Sequence, residues 1–322
     1  MKKIISVLIS LLLILGIFSG CSSEEGPKEL RIVAVQDSAC IALANMFEKQ
    51  ANATDDYKYV LRVTNLPNMA NKILTDGDCD IAFVPADVAS LIYNKTKGAV
   101  TVLAAISQLD YQIVSANELN SIADLKGTEI NLFDRDRLDE NLLEYTLETS
   151  GVSSNEYKIT YKASGVKQLA QEIKSGRVGA ALLNSVGAAE LLTLDTDLKT
   201  ISLNDEWNKI SNVSAIDYCA VASNEFLVNN EDAVVDFINN LEASVKAAGN
   251  RDKTLKLASK HGLLKTEEYG QFIYDSVNLN FLKGKDMQTA IKKYYTVIKA
   301  KKPALIGSRF PDKGFFYIPE EE

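Results

Sequence analysis

Hydrophobic runs and stretches of helical periodicity alternate along most of the chain, and the same order occurs twice. Each copy reads strand, helix, strand, helix, strand, helix. The repeat is clearest between Ile73–Ala89 and Ala170–Ala188, where Gly77 aligns with Gly176 at an offset of 99 residues. Glycine directly after a helix fits the left-handed cap position. Alternating strands and helices predict parallel sheets with helices on both faces.

This repeat predicts two α/β units of about 100 residues, each with its own sheet. The strands Val100–Ile106 and Ala215–Ala222 flank the second unit and would form a two-strand hinge. The chain beyond them reads as mostly helical and is expected to pack on the first unit. Four helices are predicted there: Asp232–Ala248, Lys253–His261, Thr266–Tyr274 and Asp286–Lys301. The sequence thus predicts a two-lobed α/β protein with a ligand cleft, lobe 1 being residues 29–108 plus 220–322 and lobe 2 residues 109–219.

Two lysines and an apolar run, Ile4–Phe18, open the chain. The run has 15 residues, fewer than the roughly 20 that a membrane-spanning helix needs, and is typical of an export signal. It ends in Phe18–Cys21, which resembles a bacterial lipobox. We therefore expect residues 1–20 to be a signal peptide, Cys21 to carry lipid, and residues 21–28 to be a tether. The alternative is an ordinary secretory signal with a chance cysteine.

Composition narrows the class of protein. The chain has 322 residues, 46% of them hydrophobic and 24% charged, which is typical of a globular protein. The 35 basic and 43 acidic residues give a formal charge of −8, which argues against nucleic acid. One histidine, His261, leaves little basis for metal sites or for catalysis by histidine. Three further cysteines, Cys40, Cys79 and Cys219, lie beside apolar residues and are expected to be buried thiols, a Cys40–Cys79 disulfide being the alternative.

Catalytic motifs are scarce. The sequence has no P-loop, no His-Glu-x-x-His and no Gly-x-Ser-x-Gly. Ser164–Lys167 matches Ser-x-x-Lys but lacks the companion motifs and is better interpreted as the start of a helix. We therefore expect no enzyme activity, no cofactor and no metal.

Polar residues after the predicted strands are candidate ligand contacts, because ligands of open α/β sheets bind at the carboxyl ends of strands. In lobe 1, Gln36, Asp37 and Ser38 follow the first strand, Asn65 the second and Asp87 the third. Each has a structural alternative. Asp37 or Ser38 could be a helix N-cap, and Asp87 is either a partner for a cationic ligand group or a first-turn acid stabilised by the helix dipole.

In lobe 2, Asp134 and Arg135 follow the first strand. Arg135 is suited to bind a carboxylate, sulfonate or phosphate through two hydrogen bonds. The alternative is a salt bridge between Arg135 and Asp134 or Asp136.

The repeat and the hinge supply the remaining candidates. Asn184 and Ser185 align with Pro85 and the residue after it, so they face the cleft if Pro85 does. Tyr111 and Tyr218 lie near the two hinge crossings, where a tyrosine can stack on a flat ligand. Packing within the hinge is the alternative role for both tyrosines.

Five stretches of the chain carry a family resemblance: Gly77–Asp87, Tyr93–Lys95, Ile122–Gly127, Leu203–Trp207 and Tyr294–Tyr317. They resemble the substrate-binding lipoproteins of ABC transporters in the nitrate/sulfonate/taurine and thiamine-precursor family (NMT1/THI5-like, SsuA-like). The resemblance covers most of residues 29–318 and implies a type II periplasmic-binding-protein fold. It departs at two loops where ligand should lie: Gln36–Cys40 replaces a frequent Lys-Gly-Pro-Thr-Gly, and Leu183–Val186 replaces a frequent Leu-Pro-Glu-Pro.

The resemblance implies a receptor on the extracytoplasmic face of the cell membrane, held there as a monomer by its lipid. Such a receptor would deliver a small molecule to a permease and an ATPase. The family's range includes sulfonates, nitrate, taurine, pyrimidine vitamin precursors and flavin-like rings, and the sequence leaves the choice open. The alternatives are a sensory or accessory binding lipoprotein without a transporter, and a surface enzyme.

Overall fold

The computed structural model describes residues 28–35, 38–50, 57–64, 74, 76–135, 137–264 and 269–319. The predicted signal peptide and Cys21 lie outside these residues. Strands and helices of the described residues form two β-sheets with helices packed against them, as the predicted α/β class requires. None of the helices described in these ranges has the length and apolar character needed to cross a membrane.

The strands, in chain order, are β1 (Lys28–Val35), β2 (Tyr57–Thr64), β3 (Ile81–Pro85), β4 (Val100–Gln108), β5 (Tyr111–Ser115), β6 (Glu129–Asn131), β7 (Lys158–Thr160), β8 (Ala180–Asn184), β9 (Lys199–Ser202), β10 (Tyr218–Ser223) and β11 (Asn278–Leu282). The first sheet has the order β11-β4-β10-β3-β1-β2, and the second has the order β7-β6-β8-β5-β9. Strands β3 and β4 are buried along nearly all of their length. Continuous apolar runs of this kind are typical of strands covered on both faces.

Both sheets are mixed, which corrects the prediction of parallel sheets. Strands β1, β2 and β3 run parallel, and β6 runs parallel to β7 and β8. In contrast, β10 is antiparallel to β3 and β4, and β5 is antiparallel to β8 and β9. The physical reason is the connectivity: β10 and β5 each enter their sheet from the other sheet's side, so each runs against its neighbours.

The helices are α1 (Ala44–Gln50), α2 (Ala86–Thr96), α3 (Leu138–Thr149), α4 (Val166–Lys174), α5 (Ser185–Leu194), α6 (Leu203–Ile210), α7 (Asn224–Asn229), α8 (Glu231–Ala247), α9 (Arg251–Lys260), α10 (Gly270–Ser276) and α11 (Gly284–Lys301). The carboxyl-terminal helices lie close to their predicted positions. Strand β11 was not predicted. It adds to the first sheet beside β4, and its five residues are all half-buried, so they show no alternation that sequence reading could detect.

The internal repeat is confirmed by the backbone. Gly77 and Gly176 both have left-handed φ angles, of 78° and 72°, at the turns that precede β3 and β8. These two strands are equivalent: each is followed at once by a helix, α2 or α5. The lobe boundaries and the hinge role of the crossings stay predictions.

One buried cluster includes side chains from both sheets. Trp207 of α6 is fully buried, and its ring centre lies 5.1 Å from that of Tyr145 and 6.2 Å from that of Tyr294 on α11. Its indole N–H donates to the carbonyl of Val213 at 2.6 Å. The three cysteines at positions 40, 79 and 219 are free and buried, which confirms the prediction of buried thiols.

Candidate functional site

A cavity of about 270 Å³ lies between the two sheets. Its walls include Asp87 and Val88 from the first turn of α2, directly after β3, and Asn184 at the end of β8. The carboxyl ends of equivalent strands in the two repeats therefore meet at one cavity, which is where open α/β sheets bind ligands.

The two chain crossings between the sheets lie side by side at this cavity. The N–H of Leu109 donates to the carbonyl of Ala215 at 3.1 Å, and the N–H of Asp217 donates to the carbonyl of Ser107 at 3.0 Å. Each crossing carries an Asp-Tyr pair that lines the cavity: Asp110 with Tyr111, and Asp217 with Tyr218.

Equivalent backbone hydrogen bonds tie each crossing to the helix that begins beside it. The N–H of Ala86 donates to the carbonyl of Asp217 at 2.7 Å, and the N–H of Ser185 donates to the carbonyl of Asp110 at 3.0 Å. The internal repeat thus extends to the crossings. A sequence signal for it exists in the tripeptides Leu109–Tyr111 and Ile216–Tyr218, each an aliphatic residue followed by Asp-Tyr.

Two predicted contact residues lie outside the described lining of the cavity and form hydrogen bonds to a residue that lines it. Ser38 and Ser185 are both 0% exposed, and both hydroxyls donate to Oδ2 of Asp110, the Ser185 bond being 2.8 Å long. Hydrogen bonds to a charged acceptor are stronger than neutral ones. Ser38 and Ser185 therefore hold the Asp110 carboxylate, and Asp110 faces the cavity.

Asp87 is a buried charged residue among the contacts predicted for lobe 1. Its side chain lines the cavity, although the residue is only 9% exposed. Burial raises the pKa of Asp87 to about 6, while the backbone N–H of Val88 and the charge of Arg137 act in the opposite direction. Both roles proposed for Asp87, first-turn acid and cavity carboxylate, coexist in the structure.

The loop between β6 and α3, together with the first turn of α3, contributes two further acidic groups. Asp134, Arg137 and Asp139 line the cavity, with Phe133 beside them. Burial raises the pKa of Asp139, opposed by the backbone N–H of Glu140 and by Arg137. The buried oxygen Oδ1 of Asp139 has no hydrogen-bond partner among the described residues.

Arg135 does not belong to the described lining of the cavity. Its guanidinium carbon lies 4.2 Å from the centre of the Tyr161 ring, a cation–π contact on the surface. Arg137, at the N-cap position of α3, lines the cavity instead. The sequence predicted a basic residue of this loop at the cavity, and the structure places Arg137 rather than Arg135 in the cavity wall.

Aromatic rings form part of the wall. Tyr111 pairs with Asn184 across β5 and β8, and Tyr218 pairs with Pro85 across β10 and β3. Together with Phe133 they supply apolar surface from both sheets. Gln36, Asp37 and Asn65 lie outside the described residues. Of the other predicted contacts, the structure brings Asp87, Tyr111, Asp134, Asn184 and Tyr218 together at the cavity; the lining residues not predicted include Asp110, Phe133, Arg137, Asp139 and Asp217.

Comparison with known proteins decides the family. The family model described as "NMT1/THI5 like" matches residues 62–253, more than half of the chain. The chain belongs to the NMT1/THI5-like family. The resemblance inferred from the sequence is thereby confirmed. A search of curated proteins gives no match.

Solved structures share the fold of this NMT1/THI5-like protein. An ABC transporter structure from Parabacteroides distasonis is 21% identical, with a TM-score of 0.75, and the match covers 92% of this chain and 100% of that one. The periplasmic aliphatic sulphonate binding protein SsuA of Escherichia coli is 14% identical, with a TM-score of 0.69 and coverage of 91% and 93%. The Candida albicans CA3427 product, described as having the generic periplasmic-binding-protein fold, is 14% identical, with a TM-score of 0.56 and coverage of 92% and 100%. The predicted periplasmic-binding-protein fold is confirmed.

Proposed function

We propose that this protein is an extracytoplasmic solute-binding lipoprotein that captures a small molecule in its cavity and delivers it to an ABC importer. One observation carries the proposal: the cavity is walled by equivalent strand ends of both repeats and by both chain crossings. Its volume, about 270 Å³, lies just below the range of about 300–1,000 Å³ usual for ligand pockets. Membership of the NMT1/THI5-like family and the fold shared with a periplasmic binding protein support the same function.

Capture would proceed by closure of the two lobes about the crossings. A ligand shifts such an equilibrium only if it binds the closed form better than the open form. Contacts from both sides provide this difference, Asp87 and Tyr218 from the first sheet and Tyr111 and Asn184 from the second. The closed form would then dock on the permease.

The predicted contacts enter this proposal in two groups. Direct contacts would come from Asp87, Tyr111, Asp134, Asn184 and Tyr218, and Ser38 and Ser185 would orient Asp110. Gln36, Asp37 and Asn65 stay predictions of further contacts. Arg137 rather than Arg135 is the basic residue of the cavity wall in this proposal.

The remaining parts of the proposal concern location and partners. Lipid on Cys21, followed by the tether of residues 21–28, would hold the monomer on the outer face of the membrane. The permease and its ATPase would be the protein partners. The protein itself would release its ligand chemically unchanged, so no enzyme activity is proposed.

Filling the cavity tests the function without knowledge of the ligand. Val88 is half-buried in the cavity wall, and Val228 of α7 is 80% exposed, so Val88→Trp and Val228→Trp form a matched pair. A thermal-shift screen would cover sulfonates, nitrate, taurine, pyrimidines, vitamin precursors and small amines. A ligand at a hundred times its Kd stabilises the native state by about 2.7 kcal/mol.

We expect at least one compound to raise the Tm of the wild type and of Val228→Trp by several degrees, and to leave Val88→Trp unchanged. Far-UV circular dichroism would show that both variants fold. A shift of equal size in Val88→Trp, or no shift with any compound, would contradict capture at this cavity.

A further inference from the structure

The cavity carries an excess of negative charge. Among the described residues that line it, five are aspartates and one is an arginine: Asp87, Asp110, Asp134, Asp139, Asp217 and Arg137. Arg137 acts on the carboxylates of both Asp87 and Asp139, whose pKa values it lowers. The positive charge of one guanidinium cannot balance the negative charge of this many carboxylates. An anionic ligand would therefore meet net repulsion in the cavity.

The helix N-termini at the cavity already have acidic or amide side chains of this chain beside them. Helix N-termini bind oxyanions through backbone N–H groups that lack partners within the helix. Asp87 and Asp139 lie in the first turns of α2 and α3, where the N–H of Val88 and the N–H of Glu140 lower the pKa of the respective carboxylate. At α5 the Oδ1 of Asn184 accepts from the N–H of Gly187 at 2.9 Å. A sulfonate or nitrate that approached α2 or α3 would therefore meet a carboxylate in the first turn of the helix.

Two of the carboxylates lack an ion pair, although the charge of Arg137 lowers the pKa of both. Asp87 is 9% exposed, and Asp139 is half-buried, with its Oδ1 buried and without a hydrogen-bond partner among the described residues. In the part of the chain that the structure describes, no lysine or arginine lies within ion-pair distance of either aspartate. Buried charges in proteins are ordinarily paired, so this pair of residues indicates a missing positive group.

We propose that the ligand is a small organic cation, whose protonated nitrogen meets Asp87 and Asp139 and whose carbon skeleton packs against Tyr111, Phe133 and Tyr218. Aromatic faces attract organic cations, and rings from both sheets are available here. A bare metal ion fits less well, since the described residues contain no group of three or more acidic, cysteine or histidine side chains that could hold one. This inference rests on the proposed function and names its class of ligand.

Charge-matched probes test the inference. Propyl, benzyl and pyrimidinylmethyl skeletons would each be presented as the primary amine, the alcohol and the sulfonate, with zinc chloride as a separate arm. Binding to the purified full chain would be measured by calorimetry and thermal shift. We expect at least one amine to bind, and its alcohol and sulfonate analogues to bind at least tenfold more weakly or not at all.

Variants separate the charges involved. Asp87→Asn should weaken binding of the amine at least tenfold, and Arg137→Gln should strengthen it a few fold, because it removes a charge of the same sign as the ligand. Asp252→Asn, which changes an exposed aspartate in the first turn of α9, is the matched control and should bind like the wild type. Circular dichroism of each variant would confirm folding.

The outcomes are distinguishable. Sulfonate binding that Arg137→Gln abolishes would overturn the cationic ligand and leave solute capture intact. Stabilisation by zinc and by no amine would also overturn it. No binding by any amine, together with no shift in the broader screen described above, would overturn both the ligand class and the proposed function.

Discussion

At the scale of single residues, Asp87 shows how a carboxylate in a cavity wall can oppose folding. Burial raises its pKa to about 6 from an ordinary value of 3.8. Arg137 lowers this pKa and Asp139 raises it, and the buried hydroxyl of Tyr294 and the thiol of Cys219 lie close enough to interact with the same carboxylate. A raised carboxyl pKa means that the fold disfavours the charged form.

The sign of the pH dependence follows from proton binding. Between pH 4 and pH 6 the folded protein keeps the Asp87 proton while the unfolded chain has lost it, so stability falls as the pH rises. A shift of about two pKa units corresponds to about 3 kcal/mol. We predict that the free energy of unfolding of Asp87→Asn is up to about 3 kcal/mol higher than that of the wild type at pH 7.5, and that this difference vanishes near pH 4. Urea unfolding at both pH values measures this.

The control variant for this prediction, Asp252→Asn, is expected to change the free energy of unfolding in the opposite direction. Asp252 is exposed in the first turn of α9, where a carboxylate stabilises the helix dipole by about 0.3–1 kcal/mol. Asp252→Asn should therefore lower the free energy of unfolding slightly. An Asp87→Asn variant that is also less stable at pH 7.5 would show that its charged carboxylate is well satisfied in the folded protein.

At the scale of elements, the sequence predicted what local patterns determine. The repeat, the order of strands and helices, and the carboxyl-terminal helices follow from hydrophobic periodicity and glycine turns. The antiparallel entry of β5 and β10 depends on which sheet each strand joins, a long-range choice that local pattern does not encode. Strand β11 depends on its pairing with β4 for the same reason.

The candidate site also contains residues that local sequence patterns predict and residues that depend on the three-dimensional fold. Asp87, Asp134 and Asn184 were found because they follow strands, and Tyr111 and Tyr218 because they lie at the crossings. Arg137 was missed because sequence gives the loop but not the direction of each of its side chains. Ser185 was predicted as a direct contact, whereas the fold places Asp110 between its hydroxyl and the cavity.

The start of α5 provides a test of this support. Ser185→Ala removes one donor to the Asp110 carboxylate, and a hydrogen bond to a charged group contributes about 1.5–3 kcal/mol. We predict a loss of about that size in the free energy of unfolding, measured in urea at pH 7.5. Ser164→Ala is the matched control: Ser164 is exposed, its hydroxyl lies 3.4 Å from Gln168 Oε1, and we expect a change within about 0.5 kcal/mol. Equal effects in the two variants would mean that the Asp110 interaction adds nothing net.

At the scale of the whole molecule, the two sheets share one buried cluster. It contains Leu30 and Ile32 of β1, Ile113 of β5, and Trp207 of α6 against Tyr294 of α11. A second cluster, which includes Val114 and Leu183 of the second sheet, is separate from it. Units of a chain joined only by short crossings often unfold separately. The shared cluster favours a single cooperative transition instead, because opening one lobe exposes apolar surface of the other.

The position of the one tryptophan makes this cooperativity measurable. Trp207 lies beside the second sheet, whereas Leu241 of α8 is a fully buried core residue packed with the first. Leu241→Ala should cost about 2–5 kcal/mol. We predict that it lowers the urea midpoint of Trp207 fluorescence as much as the midpoint of far-UV circular dichroism, whereas Leu194→Ala, at a residue 47% exposed on α5, should move neither. A Trp207 transition that keeps its wild-type midpoint in Leu241→Ala would show that the lobes unfold independently. In that case the shared core would not stabilise the contact between the lobes, and closure on a ligand would have to order that contact.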